Sequence, residues 1–507
     1  MLDPTRVALW DVGVQEYPSV APFHPDAAYP EYPFGPANTG PENRVYRAMR
    51  DLLHALGLDQ EHFGEAGWNP LGDLVQPGNT VILKPNLVVS DHSLGQAGID
   101  AAVVHGSVLR PLVDYVWVAL RGQGRILIAD SPIKEVDFER IVELTGIGAV
   151  RDFYRQRSPH LELLDFRDAY VARNPAGIMV DHVPLPGDPA GYTPVDLGTE
   201  SLFEEVLPHL HRLRSTAVYY ENVMDRFHGP GHHIYSVPNT LLNADLVISV
   251  AKLKTHRKGG VTLSLKNAVG ITNEKRALPH HRAGSPRQGG DAVADNARWD
   301  AWLEDNFRDL ILSRPAGRAA LRAFGHPLKA LVNRAIKPAF GRLAPHQPVV
   351  VEGDWYGNDT VWRMALDLNQ ALFFAAEDGC LHAVPQRRYL SIIDGIVAGE
   401  GEGPLFPTPK PCGVLLAGVQ PVLVDVVGTC LMGFDWTRVP MVREGLVREW
   451  RLRPPVGPEG IDVTSNLARG SGVLQASEPL FRFEPCAGWR GRVERKPGAA
   501  PIAAPPS

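Results

Sequence analysis

The stretch over residues 245–291 constrains this chain more than any other. It opens Asp245-Leu-Val-Ile-Ser-Val-Ala-Lys-Leu-Lys-Thr-His-Arg-Lys-Gly-Gly, an apolar, largely β-branched run that turns polar abruptly. Residues 246–250 predict a central strand of an α/β sheet. Lys252, Lys254, Thr255 and His256 follow directly at its carboxyl end, the edge of an open α/β sheet where ligands bind. From Lys252 to Asp291 there are nine lysines and arginines against two acids, Glu274 and Asp291, in a chain of formal net charge -6. Like charges packed so closely repel, and a bound phosphate or carboxylate is the economical explanation. A solvated basic loop is the alternative. The Gly259-Gly260 pair, Lys266-Asn267 after an apolar strand, and the His280-His281-Arg282 cluster favour the ligand site.

The rest of the chain supplies the sheet. Strands are predicted over 7–12, 81–83, 126–129, 390–393 and 414–417, with weaker ones near Leu161 and Val218, and helices over 42–56 and 360–375. Lys84-Pro85-Asn86 ends the second strand, where proline removes an N–H and keeps Lys84 extended. His105-Gly106-Ser107 precedes an apolar helical run with Ser107 as its expected cap, and the next strand delivers Asp130-Ser131-Pro132. Strand, helix, strand in that order implies a right-handed parallel crossover. The expected fold is α/β: a mostly parallel sheet or sheets with helices on both faces, a helical insertion and irregular loops. The expected divisions are an α/β core over 1–295 containing the basic stretch 245–291, a basic helical insertion over 296–346, a return to the core over 347–440, and a Pro-rich extension over 441–507 whose last dozen residues read as disordered. His228-Gly-Pro-Gly-His232-His233 reads as a mobile loop or lid sooner than a metal site, because Gly229-Pro230-Gly231 breaks the helix that a four-residue histidine spacing needs. Gly399-Glu-Gly-Glu-Gly403 reads as a glycine loop whose Glu400 and Glu402 would repel a phosphate.

Composition removes several classes. A pI near 6.3 argues against a general nucleic-acid binder. Cys380, Cys412, Cys430 and Cys486 are widely spaced, with no Cys-x-x-Cys pair, so no iron-sulfur cluster or structural zinc is expected. The amino terminus lacks a basic region followed by an apolar core, which makes a cytoplasmic location the default. Residues 413–434 are the one run that resembles a membrane span, and Gln420, Pro421 and Asp425 interrupt it; strand, turn and helix fit better. Residues 299–343 form a basic amphipathic pattern, read as packed surface helices or as a contact for a membrane or protein partner.

Seven strings, in this order, resemble one family: Lys84-Pro-Asn-Leu-Val, Ala129-Asp-Ser-Pro, Lys252-Leu-Lys-Thr-His, Ser264-Leu-Lys-Asn-Ala-Val-Gly, Leu278-Pro-His-His-Arg, Ile393-Asp-Gly-Ile-Val-Ala-Gly-Glu-Gly-Glu-Gly-Pro and Val424-Asp-Val-Val-Gly. Over about 7–434 the chain is similar to the largely uncharacterised family catalogued as domain of unknown function 362. The resemblance implies a fold and the place of a site, and no reaction. Some members carry an appended ferredoxin-like module; this chain departs from them.

Asp130, Asp394 and Asp425 fall at predicted strand ends or helix starts, opposite Lys84, Lys252, Lys254 and Lys266. Carboxylates facing lysines across a cleft suit a divalent cation bridging to an anionic substrate. Oxygen ligands favour magnesium or manganese; His256 with His280 or His281 would bring in zinc, nickel or iron. The alternative is that the aspartates cap helices and pair with the lysines. The leading expectation is an enzyme for a small phosphorylated or carboxylated metabolite. His256, Lys254 and Lys266 carry the chemistry; Lys84, Asn86, Lys252, Thr255, Asn267, His280, His281 and Arg282 hold the anion. His256, set among lysines, stays neutral and accepts a proton. Two alternatives stand beside it: a metal-dependent racemase or epimerase, from a distant likeness of the family to the nickel-dependent lactate racemase fold, and a non-catalytic binder of an anionic polymer or membrane head group.

Overall fold

The computed structural model describes residues 2–173, 179–215, 223–297, 352–476 and 478–496. The expected insertion helices, the strand near Val218 and the last eleven residues of the chain lie outside them. In chain order the elements that position the site are β1 (Arg6–Asp11), α1 (Arg44–Ala55), β2 (Thr80–Pro85), α2 (Gln96–Ala102), α3 (Gly106–Leu120), β3 (Arg125–Asp130), β4 (Leu161–Asp165), β5 (Leu246–His256), β6 (Gly260–Thr262), α4 (Ser264–Asn267), α5 (Val361–Phe374), β7 (Arg388–Glu402), β8 (Phe406–Gly418), α6 (Pro421–Leu431) and β9 (Asp462–Ser465). Nine strands make one sheet in the order β9-β1-β8-β7-β5-β2-β3-β4, with β6 hydrogen-bonded to the end of β5. From β7 to β4 every pairing is parallel. Only β8 runs antiparallel within the main order, against β7 and β1. The chain is a mixed α/β protein on a large, mostly parallel central sheet.

Alternation along the strands sorts their side chains into different apolar clusters. Ala8 of β1 joins residues of α1 and α3, such as Met49, Leu52 and Leu112. Its neighbours Val7 and Leu9 join Val424 and Val427 of α6. Every residue of β5 is buried, as expected of a strand flanked on both edges.

Four expectations change. β5 does not stop near Val250 but continues to His256, so Lys252, Lys254 and Thr255 lie inside the strand. The ladder continues because Lys252 pairs with Asp394 and Lys254 with Gly399 of β7, while β6 folds back on Lys254 to His256. The Gly399–Gly403 segment is strand through Glu402, paired with β8, and its glutamates are engaged: Glu400 accepts from Lys410 at 2.7 Å and Glu402 from Arg257 at 3.1 Å. The helix after His105 is capped by His105 itself, whose Nδ1 accepts the Ser107 N–H at 3.2 Å. In place of a lid, His228–Gly229 and His232–Pro238 form an antiparallel hairpin, with His228 opposite His233. The 413–434 run is the second half of β8 followed by α6. Among the described residues no single helix is long and apolar enough to cross a membrane.

The centre of the sheet holds a charged pair with no solvent access: Lys252 Nζ lies 2.9 Å from Asp394 Oδ2, and both side chains are 0% exposed. Tyr17 OH donates to Asp394 at 2.7 Å. Removing one partner strands the other charge in a low-dielectric interior. Lys252→Met is expected to cost about 3–5 kcal/mol in urea unfolding, and adding Asp394→Leu to recover most of it.

Candidate functional site

A cleft of about 540 Å³ opens at the carboxyl ends of β2, β3 and β5. Two turns build its floor. After β5 the chain reverses through Arg257 and Lys258 into β6, with Gly260 at φ +79°; a Cβ there would lie 3.1 Å from the Trp489 ring, so only glycine fits. The same turn holds His256, whose Nδ1 accepts the N–H groups of Lys258 at 3.1 Å and Gly259 at 3.2 Å. The second turn is the short α4, which presents Lys266 and Asn267. Its first N–H groups, of Ser264 and Leu265, are held by Asp425 at 2.8 and 3.0 Å.

Lys84 and Asp130 meet on this floor at 2.7 Å, and Asp130 also accepts the Leu87 N–H at 3.0 Å. Asn267 bridges the pair to the sheet, accepting from Lys84 Nζ at 3.2 Å and donating to Ser249 Oγ at 2.8 Å. The backbone of Gly270 lies directly over the pair: a Cβ there would fall 2.1 Å from Asp130 Oδ1 and 2.4 Å from Lys84 Nζ. Asp130 and Lys84 are therefore a fixed wall.

The two cleft imidazoles have opposite tautomers, assigned from their hydrogen bonds. His256 Nδ1 accepts two N–H bonds, so its proton is on Nε2. His280 Nδ1 lies 2.9 Å from the Leu278 carbonyl and must donate to it, so His280 Nε2 carries a lone pair. Both rings are neutral. Burial first, then the Lys266 charge, holds His256 well below the ordinary histidine range and takes His280 down to about 3. The expectation that His256 accepts a proton changes accordingly: its accepting nitrogen is occupied, and His280 offers the free one.

Of the expected site residues, Lys84, Asn86, Asp130, His256, Lys266, Asn267 and His280 line the cleft. The others are committed elsewhere. Lys252 is paired with Asp394; Lys254 Nζ is held by Asn86 Oδ1 at 3.0 Å and the Pro404 carbonyl at 3.1 Å. Thr255 donates to the Gly401 carbonyl, and Arg282 pairs with Asp359 at 2.9 Å. His281 is buried in a two-stranded pairing with Arg214 and does not line the cleft. Asp130, Asp394 and Asp425 do not share one coordination shell, since each is bonded to a different partner: Lys84, Lys252 and the α4 amides. Burial raises the Asp425 carboxyl to about 7, which fits a cap better than a cation ligand. Among the described residues no group of three or more His, Cys, Asp or Glu side chains is placed to hold a metal ion.

The excess of basic charge over 252–291 is largely neutralised from outside the stretch, through Asp394, Asp354, Glu402 and Asp359. Two cleft lysines escape that neutralisation. Lys275 Nζ donates to the Val269 carbonyl at 3.0 Å, and burial brings its amine to about 7. Lys266, 6% exposed, has no hydrogen-bond or carboxylate partner among the described residues, and burial with the nearby Lys258 charge brings it to about 7. The hydroxyls of Ser131 and Thr262, also lining the cleft, are buried without partners among the described residues. Ser131 was legible in the Asp130-Ser131-Pro132 string and Lys275 in the charge count; nothing local marks Thr262.

The tautomers give a direct check. In long-range proton–nitrogen spectra of histidine-labelled protein, His256 should show an Nε2–H and His280 an Nδ1–H, with neither ring titrating between pH 5 and 8. Protonation of His280 should appear only as pH falls toward about 3.

No curated protein matches the chain. A solved Thermotoga maritima protein is similar over 72% of this chain and 52% of its own, at 9% identity and a TM-score of 0.29, a likeness too slight to carry an argument. This chain thus spans about half the length of that protein. Residues 199–430, which include β5, α4 and both cleft histidines, match the family model described as a domain of unknown function, DUF362.

Proposed function

We propose that the protein is an enzyme acting on a small metabolite that bears a carboxylate or phosphate, bound in the cleft between β2, β3 and β5. One observation carries this reading: Lys266, Ser131, Thr262, His256 and His280 line one cleft, and among the described residues the Ser131 and Thr262 hydroxyls are buried without a hydrogen-bond partner and Lys266 has no carboxylate beside it. Buried polar groups are normally satisfied, and convergent unsatisfied ones await a ligand. Lys275, the two hydroxyls and the His256 N–H donate toward an anion. The His280 lone pair accepts a proton. Neutral imidazole donors stabilise developing negative charge without giving up their proton.

This reading sits on a sheet with helices on both faces and needs no cation between the three aspartates, because each is already bonded. Lys252 and Lys254 serve as support, and Lys275 takes the anion-facing role. A second reaction within the same reading, proton removal from a carbon beside the anionic group, is supported by the pairing of a lone-pair nitrogen on His280 with an N–H donor on His256.

Calorimetric titration with inorganic phosphate and with pyruvate is expected to show saturable binding that Lys275→Met weakens at least tenfold, while Arg287→Gln, on a side chain 84% exposed, changes nothing. Equal affinity in Lys275→Met and wild type overturns the assignment. Elemental analysis of untagged protein checks the metal question: stoichiometric metal that disappears in Asp130→Ala contradicts the metal-free reading. Deuterium entering a carbon-bound position of substrate from solvent, lost in His280→Gln, identifies the proton-transfer reaction.

A further inference from the structure

Lysine is used sparingly here. Only eleven of the 51 basic residues are lysines, and five of those fall between Lys252 and Lys275. All seven from Lys84 to Lys275 are buried. Arginine holds an anion without ever losing its charge, whereas lysine is the choice where a neutral amine is needed. Within the cleft the lysines divide sharply. Lys84 faces Asp130 and Lys258 faces Asp354. Lys266 has no carboxylate or hydrogen-bond partner among the described residues and shares the cleft with Lys258, His256 and His280, so burial first and then the Lys258 charge favour its amine form, drawn down to about 7. A desolvated lysine beside another cation is an activated nucleophile. Val88, Ile133, Val269, Leu278, Leu405 and Phe406 add an apolar part to the lining, beside the acidic Glu135, Glu352 and Asp354.

We propose that Lys266 forms a Schiff base with the carbonyl carbon of an oxo compound carrying an anionic group, an oxo acid or an aldehyde phosphate. The proposal rests on the anion-site reading above. The Nζ lone pair attacks the carbonyl carbon, and the C=O π pair moves to oxygen, where the His256 Nε2–H hydrogen-bonds it. His280 Nε2 takes a proton from the ammonium nitrogen and returns it to the oxygen, giving a neutral carbinolamine. The nitrogen lone pair then expels the hydroxyl, which leaves as water with a proton supplied from solvent through His280, and a protonated imine remains. Amine, carbonyl and one proton become iminium and water, with no oxidant or reductant. Lys275, Ser131 and Thr262 hold the anionic group.

The test is reductive trapping on the full chain. Wild type is incubated with pyruvate, phenylpyruvate or glyceraldehyde 3-phosphate, reduced with borohydride, and read by intact mass and peptide mapping. One reduced adduct per chain, mapped to Lys266 and formed at least tenfold faster than on any other lysine peptide, is expected; phosphate or carboxylate preference among the probes identifies the anionic group. Lys266→Met should abolish the adduct with its circular dichroism unchanged, and mapping on wild type decides the site even if that variant fails to fold. Trapping should rise with pH through about 7, since the neutral amine is the reactive form. No adduct at Lys266 with any probe, while titration shows binding that Lys275→Met weakens, overturns the Schiff base and leaves the anion site. Neither adduct nor binding overturns both.

Discussion

Burial of amines at the carboxyl edge of a parallel sheet is the constraint on which the structure depends. An ammonium taken from water needs a counter-charge or good acceptors, or it must surrender its proton. The chain uses all three solutions within a few residues. Lys252 and Lys84 receive aspartates; Lys254 receives carbonyl and amide oxygens; Lys266 receives no partner among the described residues. The first two solutions knit the strands together, and the third leaves an amine whose burial draws it down to about 7.

The supporting parts explain why the cleft keeps its shape. Asp425 fixes the start of α4 through two amides, so the turn carrying Lys266 and Asn267 is anchored to α6. Gly270 lets the backbone press on the Lys84–Asp130 pair, and the Gly259-Gly260 turn both reverses the chain and fixes the His256 ring through its own N–H groups. Gly260 and Gly270 are close approaches. Glycine supplies room at these points, where a side chain would displace a charge pair or an indole.

The imidazoles show how little of a proton-transfer assignment is contained in residue type. His256 and His280 are equivalent as letters, and their roles follow from what each Nδ1 meets: two backbone donors in one case, a carbonyl in the other. A donor and an acceptor arise from the same side chain. Both rings are neutral, and the Lys266 charge is one cause of it.

Much was legible from local pattern. The β-branched run at 246–250, the polar residues at strand ends and the helix near 360–375 are written in local pattern, and both the strand and the helix are buried along their whole length. Seven of the expected site residues also reach the cleft, because ligand-facing groups gather at strand carboxyl ends whatever the connections. The tertiary structure decided the rest. Whether a lysine is a strut or a reagent depends on which carboxylate, from β3, β7 or a distant loop, arrives beside it, as Asp394 does for Lys252 across 142 positions of sequence. Such meetings are long-range, and no local spacing encodes them. The sequence by itself determined that amines would gather at this edge; folding decided that they would be buried and which of them would lack a partner among the described residues, because ion pairing is settled by three-dimensional proximity and desolvation, and both exist only once the sheet is assembled.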